Sequence, residues 1–352
     1  MSTPSLTDDD GHDLTHVFSA ARSLGQHLTH PSLVVGRSTV PPGTASRLAR
    51  EFALVSSVPV EVAWNPEFLR TGNAISDSLR PDRIVAGVPS HEAEAIVREI
   101  YRPLTRAGVP LIITDPVTAE LAKAASNAFL AAKLSLINVM GDLASAIGAD
   151  ITALASVVGL DPRIGPAFLA PGLGYGGGCL PKDVRALAAY AQAAGAASAG
   201  RLLTTIDDVN TQRRQDIVDL VQAIAGPLHG KRVALWGAAF KAGTDDVRDS
   251  PGLDVADRVT RLGAEVVVYD PVATGNALGD FPHLGFADSA LAAAHEADAV
   301  LIGTAWPEFA AVNPAAAAAA VRTRLLIDGC QAVRPSLWRA AGWTVATPCH
   351  HG

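Results

Sequence analysis

Short apolar runs alternate with stretches of helical periodicity through the first third of the chain. Alternation of this kind is typical of βαβ units, in which helices connect the strands of a parallel sheet. The pattern predicts strands at residues 33–38, 58–64, 83–88 and 110–113, with helices at 43–55 and 91–107. We therefore expect an α/β domain with a parallel sheet over residues 1–115.

The middle of the chain carries a different pattern. Residues 118–148 place apolar side chains at helical spacing and contain no Pro, so they predict one long helix. Residues 161–183 are rich in Gly and Pro and predict a loop, and an Ala-rich helical pattern follows from about 184 to 225. We expect residues 116–213 to form a helical domain.

A second α/β pattern occupies the rest of the chain. It predicts strands at 231–236, 265–269, 298–303 and 324–327, with a helix at about 252–262. Residues 214–352 are therefore expected to form a second α/β domain.

Composition narrows the classes of function. Hydrophobic residues make up 49% of the chain and charged residues 18%, which excludes a disordered or fibrous protein. The net charge is −7 and there is no basic tract, so we expect no nucleic-acid partner. No charge-free apolar run reaches about 18 residues, and the acidic opening MSTPSLTDDDG lacks the apolar segment of a signal peptide. We expect no membrane span and a cytoplasmic location.

The glycine-rich segment before Cys179 is the strongest local motif. Five glycines between Gly172 and Gly178 allow the backbone to pass close to a ligand. Pro181 suits the first turn of a helix, which places Cys179 near a helix N-terminus, where the dipole favours a thiolate. The alternative is an inert, buried cysteine. The segment also contains a literal G-x-G-x-x-G, but it follows helical residues rather than a strand, so we do not interpret it as a dinucleotide motif.

Other segments carry polar residues that suit catalysis or binding. Lys123 and Asn127 lie four residues apart on the predicted long helix and can hold an oxyanion; a solvated polar stripe is the alternative. Glu67 follows a predicted strand, at the edge where parallel sheets place active-site loops, and a plain surface loop is the alternative. Thr44, in the segment STVPPGT, is expected to cap the helix that follows.

Two observations concern the C-terminal part and the cysteines. Residues 240–251 follow a predicted strand and precede a helix, so Lys241 and Arg248 suit an anionic ligand; a charged surface loop is the alternative. Cys179, Cys330 and Cys349 are too few for a disulfide framework and lack the spacing of metal ligands. We expect no metal site.

In this order, the motifs resemble the UDP-glucose/GDP-mannose dehydrogenase family. The segments that carry the resemblance are STVPPGT, NPEFLR, AELAKAASNAFLAAKLSLIN, DPRIGPAFLAPGLGYGGGCLPKDVRAL, AFKAGTDDVRDSPG and VVVYDP. The resemblance implies an α/β fold: a truncated N-terminal Rossmann-like sheet, a central helical dimerisation domain, and a C-terminal Rossmann-like domain that binds the UDP-sugar. It also implies an NAD-dependent nucleotide-sugar dehydrogenase, most like UDP-glucose 6-dehydrogenase, that makes UDP-glucuronate as a homodimer.

The resemblance assigns roles to residues of this chain. Cys179 would be the nucleophile that forms a thiohemiacetal and then a thioester. Its catalytic partners would be Lys123 and Asn127 at the oxyanion, Glu67 and Asp183 at the hydrolytic water, and Thr39 and Thr44 beside that water. The substrate would contact Phe68, Leu69, Phe168, Leu169, Tyr175, Gly176, Phe240 and Lys241, with Arg163 reaching into a neighbouring subunit. NAD would lie against Lys182, Arg248, Thr39 and Glu67.

The chain departs from the family pattern in places. The family opens with a strand, a G-x-G-x-x-G turn and a helix, whereas the resemblance here starts at a later turn near Thr3, so we expect residues 1–115 to be a remnant of the NAD-binding domain that lacks its first βαβ units. Thr71 stands where the family often has an acid, and Cys330 where it often has an Arg that contacts substrate. Gly178 and Leu180 replace the usual Ser and Phe around the nucleophile.

Two hypotheses follow from these observations. The first is an active nucleotide-sugar 6-dehydrogenase. The second is a catalytically impaired family member that binds a nucleotide sugar or a partner subunit without turnover.

Overall fold

The computed structural model describes residues 13–348, so the acidic opening and Cys349 lie outside the described residues. The chain divides into two compact units. Unit 1 contains the chain up to Phe129 together with Lys182–Thr204, and unit 2 contains Leu130–Pro181 and the chain from Thr205 onward. Each unit is therefore discontinuous in sequence.

The secondary structure follows the predicted order of elements. The strands are β1 (Ser32–Gly36), β2 (Val60–Trp64), β3 (Ile84–Gly87), β4 (Leu111–Thr114), β5 (Arg232–Trp236), β6 (Glu265–Tyr269), β7 (Gly285–Phe286), β8 (Ala299–Ile302), β9 (Leu325–Asp328) and β10 (Thr344–Ala346). The helices of the first half are α1 (Thr15–His27), α2 (Thr44–Val55), α3 (Ala74–Leu79), α4 (His91–Ile100), α5 (Arg102–Arg106), α6 (Pro116–Ile147) and α7 (Ile151–Gly159). Those of the second half are α8 (Leu180–Ala193), α9 (Ala197–Ala225), α10 (Pro251–Arg261), α11 (Thr274–Asp280), α12 (Ala290–Ala293), α13 (Pro307–Ala310), α14 (Pro314–Ala320) and α15 (Pro335–Ala340).

Unit 1 is built on a four-stranded sheet in the order β1-β2-β3-β4. The pairs β1–β2 and β3–β4 are parallel, but β2 and β3 meet in antiparallel orientation at the single pair Trp64 and Gly87. The expectation of an all-parallel sheet is therefore wrong at this junction. The pairing is short because Pro66 has no N–H for a ladder and the Asn65 side-chain amide, rather than a backbone amide, donates to the Val85 carbonyl at 2.7 Å.

The core of unit 1 lies between this sheet and the helices α1 and α2. Phe52 and Trp64 are almost completely buried there, and Phe18 of α1 packs against the same cluster. Helix α1 was not predicted from the sequence. It brings Arg47 of α2 over the ring of Phe18, with the guanidinium carbon 4.9 Å from the ring centroid.

Unit 2 contains a six-stranded parallel sheet in the order β10-β9-β8-β5-β6-β7. Most of its strands are continuous apolar runs in the sequence, because both faces of the sheet are buried. In β5, Leu235 packs into the core on one face, whereas Trp236 packs on the other face with Phe309 and Trp338. The four strands predicted in this region are present, and the sequence pattern missed the short strands β7 and β10.

Helix α6 confirms the predicted long helix and extends it to 32 residues. By length and composition, α6 is the one helix of residues 13–348 that could cross a membrane, although buried core helices pass the same test. Its polar residues Lys123, Asn127 and Asn138 are buried in the protein. These three buried polar side chains show that α6 packs against other parts of the protein.

Leu301 lies near the centre of the unit 2 sheet, with 1% of its surface exposed. We expect Leu301→Ala to lower the free energy of unfolding by about 2–5 kcal/mol, because the surrounding side chains cannot fill the cavity completely. Urea denaturation followed by tryptophan fluorescence measures this loss. The control is Leu278→Ala on α11, where the leucine is half exposed and the expected change is about 0.5 kcal/mol or less. Equal losses in both variants would contradict the assignment of Leu301 to the core.

Candidate active site

The segment after β2 brings an acid and a base together in unit 1. The Glu67 carboxylate lies 3.5 Å from the Lys123 ammonium of α6, and the Lys123 side chain is only 7% exposed. The ring of Phe68 lies beside both Lys123, at 5.5 Å, and the guanidinium of Arg83, at 4.0 Å. The structure therefore gathers two cations and a carboxylate around this loop, although Arg83 was not among the predicted site residues.

The same segment is held in place by its own hydrogen bonds. The Leu69 N–H donates to Glu67 Oε2 at 2.6 Å, and the Arg70 N–H donates to the buried Asp77 at 2.8 Å. The Tyr101 hydroxyl donates to the Asn65 side chain. A cavity of about 130 Å³ beside the loop is lined by residues that include Asn65, Glu67 and Arg70. The loop is thus ordered and leaves space next to Glu67.

Lys123 and Asn127 lie on the same side of α6, and Asn127 connects this helix to α8. The Asn127 amide donates to Asp183 Oδ2 at 2.6 Å, and both side chains are buried. The Lys182 ammonium lies 3.5 Å from the other oxygen of Asp183. Unit 1 therefore holds four of the predicted catalytic residues, Glu67, Lys123, Asn127 and Asp183, in two contacting pairs.

Thr44 does not cap α2, contrary to the sequence-based expectation. It is the first residue of the helix, and its hydroxyl donates to the Pro41 carbonyl at 2.6 Å. The buried carboxylate of Glu120 takes the capping position instead, accepting from the N–H groups of Gly43 at 2.5 Å and Ala45 at 2.6 Å. A carboxylate suits the positive end of a helix better than a hydroxyl does. Burial raises the pKa of Glu120, and these two hydrogen bonds oppose the shift.

Thr39 lies in the loop after β1 and is half-buried. The neighbouring Ser38 carbonyl accepts from the indole N–H of Trp64 at 3.1 Å, which ties this loop to the end of β2. The two loops that carry Thr39 and Glu67 therefore follow the adjacent parallel strands β1 and β2.

The glycine loop of unit 2 is fixed by side chains on α6 and α9. Asn210 is bonded twice to the backbone of Tyr175: it accepts from the N–H at 2.7 Å and donates to the carbonyl at 3.0 Å. Gly172 donates to the Asn138 side chain at 2.8 Å, and its carbonyl accepts from Arg213 at 2.9 Å. A segment with five glycines is therefore rigid here because its backbone groups are bonded to long helices.

The loop ends at Cys179, directly before α8 begins at Leu180. The Cys179 side chain is exposed, which excludes the alternative of an inert, buried cysteine. Pro181 lies in the first turn of α8, as predicted. The N-terminal end of a helix favours a thiolate, so this position suits a nucleophile.

The loop also lies against the turn at Asp249. A Cβ atom on Gly176 would collide with the Asp249 carbonyl oxygen, so only glycine allows this approach. Asp249 itself has a φ of 48°, an unusual conformation for a residue with a side chain. The buried guanidinium of Arg214 joins the two segments, donating to Asp249 Oδ1 at 2.7 Å and to the Tyr175 carbonyl at 3.2 Å. Asp254 completes the pairing of Arg214 at 3.2 Å.

Phe240, Lys241 and Arg248 come from the loop after β5. The ring of Phe240 lies against Gly177, and the Lys241 ammonium is 5.7 Å from the centre of that ring. The buried carboxylate of Asp270, which follows β6, anchors the start of this loop. It accepts from the N–H groups of Ala238 at 2.8 Å and Ala239 at 3.0 Å, and from the Trp306 indole at 3.0 Å.

The three predicted substrate-binding residues between positions 161 and 170 differ in their exposure to solvent. Arg163 is 87% exposed, and Asp161 holds its guanidinium at 2.6 Å. This hydrogen bond lowers the pKa of Asp161. Phe168 is exposed with a φ of 61°, whereas Leu169 is buried in a small cluster that includes Ile137. The side chains of Arg163 and Phe168 are therefore accessible at the surface, whereas the Leu169 side chain belongs to the core.

Cys330, which stands where the family often has an Arg, is directed inward. Its thiol lies 3.8 Å from the Ile302 carbonyl and 3.9 Å from Asp328 Oδ1. Burial and the adjacent carboxylate raise the pKa of the Cys330 thiol well above its usual range. Burial likewise raises the pKa of Asp328. This cysteine cannot replace the charge of an arginine.

The pyrophosphate of a dinucleotide such as NAD is bound by accessible positive side chains or by free backbone N–H groups at a helix N-terminus. The Arg248 guanidinium is 68% exposed and the Lys182 side chain 20% exposed, so both fit such a ligand. The N-terminus of α2 does not fit a phosphate, because the Glu120 carboxylate already accepts from its N–H groups.

Sequence reasoning missed the residues that fix the loops within each unit. They are Glu120 in unit 1, and Asn210, Arg214, Asp249 and Asp270 in unit 2. Asn210, Arg213 and Arg214 fall within one turn of α9, and a polar cluster of this kind at helical spacing could have been recognised. The role of Glu120 could not, because its partners Gly43 and Ala45 lie more than 70 residues away.

Most of the chain matches the domains of one protein family. The NAD binding domain of the UDP-glucose/GDP-mannose dehydrogenase family matches residues 1–105, its central domain matches residues 117–212, and its UDP binding domain matches residues 234–335. The chain therefore does not lack the NAD-binding domain, and the expectation stated from the sequence is corrected on that point.

Individual relatives agree with this match. A UDP-glucose 6-dehydrogenase of Rickettsia bellii is 40% identical over 331 residues, which are 93% of this chain and 75% of that protein. A UDP-glucose 6-dehydrogenase of Haloferax volcanii is 42% identical over 339 residues, 94% of this chain and 77% of that protein. Among solved structures, a UDP-glucose dehydrogenase from Pyrobaculum islandicum has a TM-score of 0.89 at 33% identity, covering 99% of this chain and 78% of that one.

The Glu120 carboxylate gives rise to a stability prediction. We expect Glu120→Gln to lower the free energy of unfolding by about 1–3 kcal/mol, because an amide can accept from one of the two N–H groups but opposes the other with its own NH₂. Chemical denaturation at neutral pH measures the loss. The matched control is Glu92→Gln on α4, an exposed position where we expect little change. A Glu120 variant as stable as the Glu92 variant would contradict the capping role.

Proposed function

The chain belongs to the UDP-glucose/GDP-mannose dehydrogenase family, and on this premise we propose that it is a UDP-glucose 6-dehydrogenase. It oxidises the primary alcohol of UDP-glucose to the carboxylate of UDP-glucuronate. The observation that carries the proposal is the identity of 40% and 42%, over more than nine-tenths of the chain, to proteins of that activity. The exposed Cys179 in a fixed glycine loop supports it.

NAD is the cofactor, and it accepts a hydride in each of the two oxidations. Thr39, Glu67, Lys182 and Arg248 are the residues proposed to lie against it. The exposed charge of Arg248 suits the pyrophosphate.

The role proposed for Cys179 divides the oxidation into stages. After the alcohol has lost a hydride and a proton, the Cys179 sulfur adds to the carbonyl carbon of the aldehyde and forms a thiohemiacetal. Loss of the second hydride from the carbon, together with the proton of the thiohemiacetal hydroxyl, leaves a thioester. Water then attacks the thioester carbon, the C–S bond breaks, and the thiolate returns as the carboxylate leaves.

Residues of unit 1 are proposed to stabilise the charges that develop in these steps and to accept a proton. Lys123 and Asn127 stabilise the oxyanion, since a buried cation and an amide donor act strongly away from water. Glu67 takes a proton from the hydrolytic water, and Lys123 at 3.5 Å compensates its charge. Asp183 orients the Asn127 amide. Thr39 and Thr44 are proposed to order the water.

The nucleotide sugar lies along the glycine loop. The proposed contacts are Phe68 and Leu69 after β2, Phe168, Leu169, Tyr175 and Gly176 in and before the loop, and Phe240 and Lys241 after β5. Because Tyr175 and Leu169 have buried side chains, they contribute mainly through the backbone.

We propose that the protein is a homodimer that associates through α6. Leu136, Val139, Leu143 and Ile147 are exposed at spacings of three and four residues, so they form one apolar face of the helix. A continuous exposed apolar face of this kind marks an interaction surface. Arg163, which is exposed in the same unit, is proposed to reach the site of the partner subunit.

The proposal places the enzyme in the cytoplasm, with no nucleic-acid or membrane partner. The alternative of a binding protein without turnover is not favoured, because the NAD binding domain is matched. Activity measurements distinguish the two.

The Cys179 thiol is the decisive group. We expect Cys179→Ala to lower the rate of UDP-glucuronate formation by more than about 10³-fold, because the variant lacks the sulfur that is proposed to hold the aldehyde covalently. NADH absorbance with UDP-glucose, together with quantification of UDP-glucuronate, measures the rate. The matched control, Cys349→Ser, retains the parent rate. Unchanged turnover in the alanine variant would exclude the proposed mechanism, and an inactive parent chain would favour the binding protein.

The α6 face yields a prediction about assembly. We expect Leu143→Glu to convert the dimer to a monomer at micromolar concentrations, because burying an unpaired carboxylate in an apolar interface is strongly unfavourable. Sedimentation velocity measures the oligomeric state. The control, Leu278→Glu, introduces the same charge at an equally exposed leucine on α11 and leaves the dimer intact. A parent chain that sediments as a monomer would contradict the proposed interface.

A further inference from the structure

The residue before the nucleophile is covered by an arginine. The Gly177 N–H donates to the Arg248 carbonyl at 2.9 Å, so the two segments run side by side. A Cβ atom on Gly178 would lie 2.5 Å from the Arg248 guanidinium carbon and 2.6 Å from Nη1. Only glycine at position 178 therefore leaves room for the guanidinium in this place.

The position of Arg248 is also fixed from its other side. Asp246 accepts from Arg248 Nε at 2.9 Å and from Nη2 at 2.6 Å. This pairing raises the pKa of Arg248, and the negative charge of the Cys179 thiolate raises it further. The interaction is mutual, so a guanidinium at this place favours the thiolate over the thiol.

We propose that Arg248 is a positioning residue that stabilises the thiolate of Cys179, and that Gly178 is the residue that admits it. The inference rests on the proposed role of Cys179 as nucleophile. It adds a function for Arg248 beyond any contact with NAD. It also gives a physical meaning to Gly178, where the family usually has a serine: a side chain there would displace the guanidinium.

Other charged groups surround this segment and have to be held constant. Asp246 pairs with Arg248, Arg214 pairs with Asp249 and Asp254, Lys241 lies beside Phe240, and Lys182 and Asp183 follow Cys179 along α8. None of them is altered in the variants below. A difference between variants therefore reports on Arg248.

The test is the pH dependence of alkylation of Cys179 by iodoacetamide, measured peptide by peptide by mass spectrometry. It uses the full chain carrying Cys349→Ser, without NAD. Cys330 is partly buried, and its alkylation is followed separately. We expect Arg248→Gln to raise the midpoint for Cys179 by about one pH unit. The alkylation rate near neutral pH then falls by up to about tenfold. Arg248→Lys keeps a cation and restores most of the rate.

Gly178→Ser provides an independent variant. We expect it to shift the midpoint in the same direction as Arg248→Gln, and to produce no further shift when the two substitutions are combined. The control is Arg261→Gln on α10, an exposed arginine that is likewise paired with an aspartate, and it leaves the midpoint unchanged. Circular dichroism shows whether each variant is folded.

The proposal is overturned if folded Arg248→Gln alkylates with the parent midpoint. A failure of the proposed role of Cys179 as nucleophile is recognised separately, because it would appear as full dehydrogenase activity in Cys179→Ala. A shifted midpoint in an inactive parent chain would support the role of Arg248 and exclude the enzyme.

Discussion

The glycine loop lies directly on the backbone of the Asp249 turn, and the position of Cys179, the proposed nucleophile, depends on that contact. Gly176 permits the close approach of the two backbones, and Arg214 joins the glycine loop to the turn through the Tyr175 carbonyl and the Asp249 carboxylate. Because this guanidinium is buried, removing both of its carboxylate partners, Asp249 and Asp254, would leave an uncompensated charge, a loss of about 3–5 kcal/mol in comparable buried pairs. The unusual φ of Asp249 is maintained by the same set of bonds.

Buried carboxylates play a similar part elsewhere in the protein. Glu120, Asp270 and Asp328 are each almost inaccessible, and each accepts from backbone N–H groups of a loop or helix end. The backbone supplies partial positive charge where no cation is available. Burial raises the pKa of Glu120 and of Asp328, so both carboxylates carry a desolvation cost that their hydrogen bonds offset in part. These acids shape the loops that present the functional side chains.

The periodicity of the sequence predicted most of the fold, because most strands and helices have local apolar patterns. Helix α6 and the four longer strands of unit 2 are examples. The antiparallel junction of β2 and β3 could not be predicted, since it depends on Asn65 and Pro66 meeting a strand that lies 20 residues further along the chain. The short strands β7 and β10 carry too few residues for a pattern.

For the site, local motifs predicted candidate catalytic residues such as Cys179 and Glu67, and their catalytic roles stay predictions. The motifs did not identify the residues that hold these groups in place. Asn210 and Arg214 bind backbone atoms 35 and 39 residues away, and no spacing rule connects such pairs. The prediction that Thr44 caps α2 was wrong for the same reason. The better acceptor, Glu120, lies on a helix that is 75 residues away in the sequence.

The interleaved course of the chain has a consequence for its synthesis on the ribosome. Unit 1 needs Lys182–Thr204, including the partner of Asn127, yet Leu130–Pro181 belongs to unit 2 and emerges earlier. Unit 1 is therefore incomplete until more than 200 residues have been synthesised. By then Leu130–Pro181 of unit 2 has also been synthesised, but the strands of the unit 2 sheet have not. Domains that fold as they emerge do so one after another. Here neither unit corresponds to a continuous stretch of nascent chain, so translation and folding cannot be coupled unit by unit.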